Sequence, residues 1–132
     1  MVTAQNKRVV RDFFSSFELE YADRILGFMT DDATWWVNGK PHLFSFAGSK
    51  SKADMTPVLY GLFALFDGGL KMEVKRLIAE EDCVAAEARS FGATKNGKQY
   101  ENDYHILFRL REGKIVEIRE YTDPMHAVET FS

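Results

Sequence analysis

Between Leu70 and Asp123 the chain alternates apolar and polar residues in four runs. Three short polar breaks separate them: Glu80-Glu81-Asp82, Lys95-Asn96-Gly97 and Arg111-Glu112-Gly113. Period-two alternation predicts strands with one buried face, and short breaks, two of them ending in Gly, predict hairpins. The stretch therefore predicts an antiparallel four-stranded meander. With every break read as a three-residue loop, Ala79 falls opposite Cys83, Thr94 opposite Lys98 and Leu110 opposite Lys114. One face then carries the rows Ile78-Val84-Phe108-Val116, Arg76-Ala86-Ile106-Ile118, Val74-Ala88-Tyr104-Glu120 and Met72-Ser90-Asn102-Thr122. The other carries Leu77-Ala85-Leu107-Glu117, Lys75-Glu87-His105-Arg119 and Glu73-Arg89-Asp103-Tyr121. The second face alternates in charge sign from strand to strand, as cross-strand pairing favours, and a slip of one residue would scramble both faces. Arg76 is out of place in an apolar row, and a local bulge that turns it outward is the favoured reading.

Upstream, Thr3 caps a helix to about Phe17 whose apolar positions are Val9, Val10, Phe13, Phe14 and Phe17. A shorter helix covers Tyr21 to Met29, Asp31-Asp32 ends it, and Ala33 to Val37 reads as a short strand. Asn38-Gly39-Lys40-Pro41 is a turn. His42 to Gly48 is irregular and Phe-rich, with Phe44 and Phe46 better placed than His42 to line a cavity. Ser49 or Ser51 caps a third helix to about Phe66, with Met55, Val58, Leu59, Leu62, Phe63 and Phe66 inward, and Asp67-Gly68-Gly69 stops it. Helices ahead of an antiparallel sheet make an α+β fold. The expected architecture is a curved four-stranded antiparallel meander plus the short N-terminal strand. It wraps around three N-terminal helices and leaves a cone-shaped, mostly apolar pocket.

The 132 residues are expected to form a single domain, 1–132, with 45% hydrophobic residues and eleven Phe to fill a core. A net charge of −3 gives no basic face for nucleic acid. No run approaches the ~20 apolar residues of a membrane span, and Met1 to Arg11 lacks the apolar run of a signal peptide. The lone Cys83 excludes an internal disulfide and fits a reducing, cytoplasmic setting. Three His without ligand-like spacing predict no metal site, and no Gly-rich phosphate loop is present.

The segments Asp31-Asp32-Ala33-Thr34-Trp35-Trp36-Val37-Asn38-Gly39, Glu112-Gly113-Lys114-Ile115 and Arg119-Glu120-Tyr121-Thr122-Asp123 occur in a helix-helix-strand-helix-sheet order. In this order they resemble the nuclear transport factor two-like (cystatin-like) superfamily. That group includes ketosteroid isomerase, limonene epoxide hydrolase and the SnoaL-like polyketide cyclases. The resemblance implies a cofactor-independent acid–base enzyme or a non-catalytic binder. Carried over by position, the isomerase's catalytic aspartate falls on Val37, its oxyanion-hole tyrosine on Phe13 and its protonated aspartate on Ile106. The epoxide hydrolase's arginine and first aspartate fall on Ala88 and Ser90, and its tyrosine and asparagine on Trp35 and Val37. Its second aspartate alone meets a carboxylate, Glu120. Neither mechanism transfers whole.

The candidate catalytic pair is Glu120 and Tyr104. Glu120 continues the Val116-Ile118 face into the cavity, where lost hydration suits a carboxylate to proton transfer. Tyr104, placed opposite it, would bond it or polarise a substrate carbonyl. Asn102, Ser90 and Thr122 are candidates to orient a substrate oxygen, with Trp35, Phe13 and Phe63 as apolar wall. The set suits isomerisation, dehydration or aldol-type cyclisation of a small apolar carbonyl compound. The alternatives are a Glu120 at the sheet's open end, solvated or paired with Arg76 or a helix residue, a Tyr104 that is only core, and a non-catalytic module for a small hydrophobic molecule. His105 and Asp103 share the charged face, which is expected to be a structural or subunit lattice. A homodimer through that outer sheet face is expected. His126 is expected to be terminal and exposed, and Cys83 to be packing.

Overall fold

The computed structural model describes residues 2–18 and 21–131. Its elements are α1 (Val2–Glu18), α2 (Ala22–Gly27), β1 (Met29–Val37), β2 (Gly48–Ser51), α3 (Lys52–Leu65), β3 (Phe66–Glu80), β4 (Cys83–Thr94), β5 (Gln99–Arg111), β6 (Lys114–Thr122) and α4 (Pro124–Phe131). The strands form one curved six-stranded sheet in the order β2-β1-β6-β5-β4-β3. All neighbours are antiparallel except β1 and β6, which run parallel. Helices on one side of a curved sheet give the expected α+β cone.

The helices form where the apolar spacing places them. Val10, Phe13, Phe14 and Phe17 of α1 are buried, and Phe13 meets Phe108 of β5 edge-on at 5.4 Å. Ser51 caps α3, its hydroxyl accepting the Asp54 N–H at 3.1 Å. Pro57 lies inside α3 rather than at its start. Asp31-Asp32 do not end a helix; β1 begins at Met29 and runs through both, leaving them exposed. Asp67-Gly68-Gly69 do not stop α3 either. The helix ends at Leu65, and Gly68 and Gly69 take φ of +84° and +88° within an irregularity of β3. Gly92 of β4 has to be glycine: a Cβ there would sit 2.7 Å from the Phe66 ring. Two elements were not expected, the edge strand β2 and the C-terminal helix α4.

The β4–β5 register is the expected one, with Ala88 opposite Tyr104 and Ser90 opposite Asn102. The other two hairpins use two-residue loops. Glu80 pairs with Cys83 and Arg111 with Lys114. Both loops hold a glutamate at positive φ, Glu81 at 54° and Glu112 at 52°. In β3 a bulge between Val74 and Arg76 restores the expected register beyond it. On the turn side of that bulge the faces exchange: Leu77 is buried at 8% exposure and Ile78 stands out at 59%. Arg76 is turned outward opposite Glu87, as its charge required. In β6 a bulge at Val116, opposite the Arg109–Leu110 step of β5, adds to the shortened turn, shifting the register by two residues. Tyr104 therefore lies opposite Thr122, and Glu120 opposite Ile106 rather than Tyr104.

Candidate functional site

A two-residue shift preserves side-chain parity, so Glu120 still projects from the inner face. It lines an apolar cavity of about 80 Å³ together with Phe13, Trp35, Val37, Tyr104 and Ile106. Two features of β1 hold it there. Asn38 continues the β1–β6 ladder, its backbone N–H donating to the Glu120 carbonyl at 3.0 Å. The Asn38 side chain also donates to the Thr122 carbonyl and accepts the Thr122 N–H, at 3.1 and 3.0 Å. Trp35, two residue pairs along the ladder and on the same face, donates its indole N–H to Glu120 Oε1 at 3.0 Å.

Glu120 is half-buried by accessible surface, and that surface opens onto the cavity. Hydration is therefore scarce, and burial raises its pKa from 4.5 to about 7, against the smaller lowering effect of the Trp35 hydrogen bond. Among the described cavity-lining residues it is the one carboxylate. A carboxyl poised near neutrality is able both to take and to give a proton.

Tyr104 also lines the cavity, but its hydroxyl belongs to a chain of its own. It donates to Ser90 Oγ at 3.0 Å and lies 3.1 Å from the Tyr100 hydroxyl, which accepts Asn102 Nδ2 at 2.9 Å. Burial is the main cause that holds the Tyr104 hydroxyl well above the usual tyrosine range, with Tyr100 and Glu120 adding to it. It therefore stays protonated and remains a donor.

Of the other candidates, Thr122, Trp35 and Phe13 line the cavity, whereas Ser90, Asn102 and Phe63 do not. Ser90 and Asn102 are buried behind the two tyrosines. Asn102 is a clamp: its amide also donates to the Asp123 carbonyl at 3.1 Å and accepts the Asp103 and Asp123 N–H groups. Phe63 packs edge-on against Phe17, 5.8 Å away, outside the cavity lining. Phe44 and Phe46 line the cavity and His42 is exposed, as expected. His126 is not a free terminal side chain. It stacks on Tyr100 at 5.2 Å, and its Nε2 accepts the Glu101 N–H at 3.2 Å, which docks α4 against β5.

Among the cavity residues that had escaped the sequence reading are Tyr100, Phe131 of α4, and Lys50 of β2. Tyr100 shares parity with Tyr104 and was legible. The other two sit on elements whose short, polar or terminal sequences gave no periodic signal.

On the outer face Glu87 and Tyr121 flank His105, and Arg89 reaches Glu101 at 3.4 Å and Asp103 at 3.7 Å. Arg119, expected beside His105, lies opposite Leu107 and covers the Trp36 ring at 4.1 Å. Burial first, then the Asp82 carboxylate, pushes the Cys83 thiol up, away from a reactive thiolate. Among the described residues no cluster of three His, Cys, Asp or Glu is placed to hold a metal ion. None of their helices is long and apolar enough to cross a membrane.

Known proteins resemble this chain in sequence or in fold. UPF0523 protein B of Dictyostelium discoideum is 28% identical over 118 residues, which cover 85% of this chain and 70% of that protein. PrhC of Penicillium brasilianum superposes with a TM-score of 0.86 at 13% identity, over 98% of this chain and 87% of its own. BvnE pinacolase of Penicillium brevicompactum gives 0.84 at 16% identity, over 98% and 93%. At these identities the solved structures establish the fold alone. The sequence profile of the SnoaL-like domain matches residues 10–118, and the chain belongs to that family.

Proposed function

We propose that the protein is a cofactor-independent acid–base enzyme acting on a small apolar carbonyl compound, with Glu120 as the group that carries the proton. The observation behind this is a carboxyl with a pKa of about 7 inside an apolar cavity. As carboxylate, Glu120 takes a proton from the carbon beside the substrate carbonyl, and the electron pair moves onto the carbonyl oxygen. The protonated Glu120 then returns the proton to another carbon, giving isomerisation, or to a departing hydroxyl, giving dehydration. Tyr104 is proposed as the donor to the developing oxyanion, by rotating its O–H from Ser90 toward the cavity. Thr122, Trp35 and Phe13 shape the substrate's site. That BvnE, of the same fold, is a pinacolase supports a catalytic use of such a cavity.

The deciding experiment is a carboxyl-resolved NMR titration, with Glu120→Gln to assign the signal. A value near 7 is expected, and an ordinary glutamate value would remove Glu120 from the chemistry.

A specific observation favours a second reading, a binding module for a small hydrophobic molecule. Val37, Phe13 and Ile106 line the cavity, at the positions where the resemblance would put the isomerase's catalytic groups. Under that reading Glu120→Gln leaves ligand affinity intact and no turnover exists to lose. The proposal extends to a cytoplasmic homodimer. The free Cys83 supports the compartment, and Ile78, Leu107 and Tyr121, exposed among the outer-face ion pairs, support the dimer.

A further inference from the structure

Lys50 is the one cation among the described cavity-lining residues. It pairs with Trp35 across β1–β2, so the two side chains leave the sheet on the same face. Trp35 is buried on the cavity side, and Lys50 follows it. The ammonium donates to the Phe46 carbonyl at 3.0 Å. An ammonium has three donors, and among the described residues no carboxylate forms an ion pair with this one. Glu120 does not neutralise it: the causes of the Glu120 shift are burial and the Trp35 hydrogen bond, with no cation among them. A half-buried cation with donors to spare, set in an apolar wall, offers an entering anion a charge-assisted hydrogen bond.

We propose that the cavity takes a compact apolar anion, whose carboxylate or acidic enolate docks on Lys50 while its carbonyl or hydroxyl end lies toward Glu120. The inference rests on the cavity being the ligand site, not on Glu120 transferring a proton. Charge-assisted hydrogen bonds from Lys50 replace part of the anion's hydration, and the Phe and Met wall takes the apolar body. Glu120 in its neutral form spares the bound anion a like-charge neighbour. Lys50 therefore sets specificity for acidic over neutral ligands of the same shape.

Benzoate and benzamide are matched one-ring probes for this. Each is titrated into the wild type, Lys50→Met and Lys50→Arg at mildly acidic pH, where Glu120 is neutral. Binding is read from the fluorescence of the cavity indole and confirmed by amide chemical shifts. The wild type is expected to bind benzoate at least about tenfold more tightly than benzamide, the size of one charge-assisted hydrogen bond. Lys50→Met should bring the two affinities together, and Lys50→Arg should restore the preference. Equal affinities in the wild type overturn the inference, as does a preference that survives in Lys50→Met or an absence of saturable benzoate binding. The Glu120 titration, measured separately in Lys50→Met, still decides the acid–base proposal when the anion preference fails.

Discussion

Glu120 accepts one hydrogen bond from an indole and faces a mostly apolar cavity, an arrangement that favours its neutral form. Folded, it keeps its proton up to about pH 7; unfolded, it loses it near the ordinary 4.5. Between those values the native state binds more protons, so this group's contribution to stability falls as pH rises. The full deficit, on the order of 3 kcal/mol, is present above the folded value. Glu120→Gln keeps the shape and removes the titration. Urea unfolding is expected to show the variant more stable than wild type by about 2 to 3 kcal/mol in mildly alkaline solution, the gap closing under acidic conditions. Trp35→Phe acts in the opposite sense on the carboxyl. The indole N–H favours the charged form, so its loss should raise the Glu120 pKa further, by roughly one unit. The same NMR titration reads this, and an unchanged or lower value would mean that the indole does not control the carboxyl.

At the scale of elements, turn chemistry decided what could be read. The Lys95-Asn96-Gly97 loop has three residues, and the alternation of β4 and β5 then fixed every pair between them. The Glu112-Gly113 turn, with both φ values positive at 52° and 78°, is the kind that hairpins prefer in their two-residue loops. Glutamate carries no signal for that conformation, and nothing in Ile115-Val116-Glu117 announces a bulge. Because shortened turn and bulge add to two residues, the inward direction of Glu120 was legible while its neighbour was not. β2 was unreadable for another reason: Gly48-Ser49-Lys50-Ser51 has no apolar alternation and forms only by pairing with β1. Helix α4 is held by Asn102, Asp123 and His126 rather than by its own propensity. Asn102→Ala should therefore cost about 2 to 3 kcal/mol by leaving buried partners unpaired. Hydrogen exchange should show α4 amides losing protection before those of β4 and β5. Uniform loss across the sheet would refute the clamp.

Across the whole molecule, the sheet divides the labour between its faces. The inner face, with α1, α3 and α4, encloses a cavity smaller than the ~150 Å³ that accommodates benzene in an engineered core, so a one-ring ligand must displace wall side chains such as Phe44, Phe46 or Phe131. The outer face presents charges with Ile78, Leu107 and Tyr121 between them. If that face is the subunit contact, sedimentation at micromolar concentration should give twice the chain mass, and Leu107→Glu should halve it; a monomeric wild type would end the dimer proposal. The β1–β6 pairing has a further consequence. Trp35 and Glu120 lie 85 residues apart in the chain and meet across the one parallel junction of the sheet. Closing so long a loop is slow relative to zipping hairpins, so the meander should form first and the carboxyl should meet its indole among the last contacts. Trp35→Phe is then expected to speed unfolding while leaving the refolding rate nearly unchanged. During synthesis, β1 leaves the ribosome long before its partner strand exists, and it must wait exposed, with its aromatic residues uncovered, until β6 arrives.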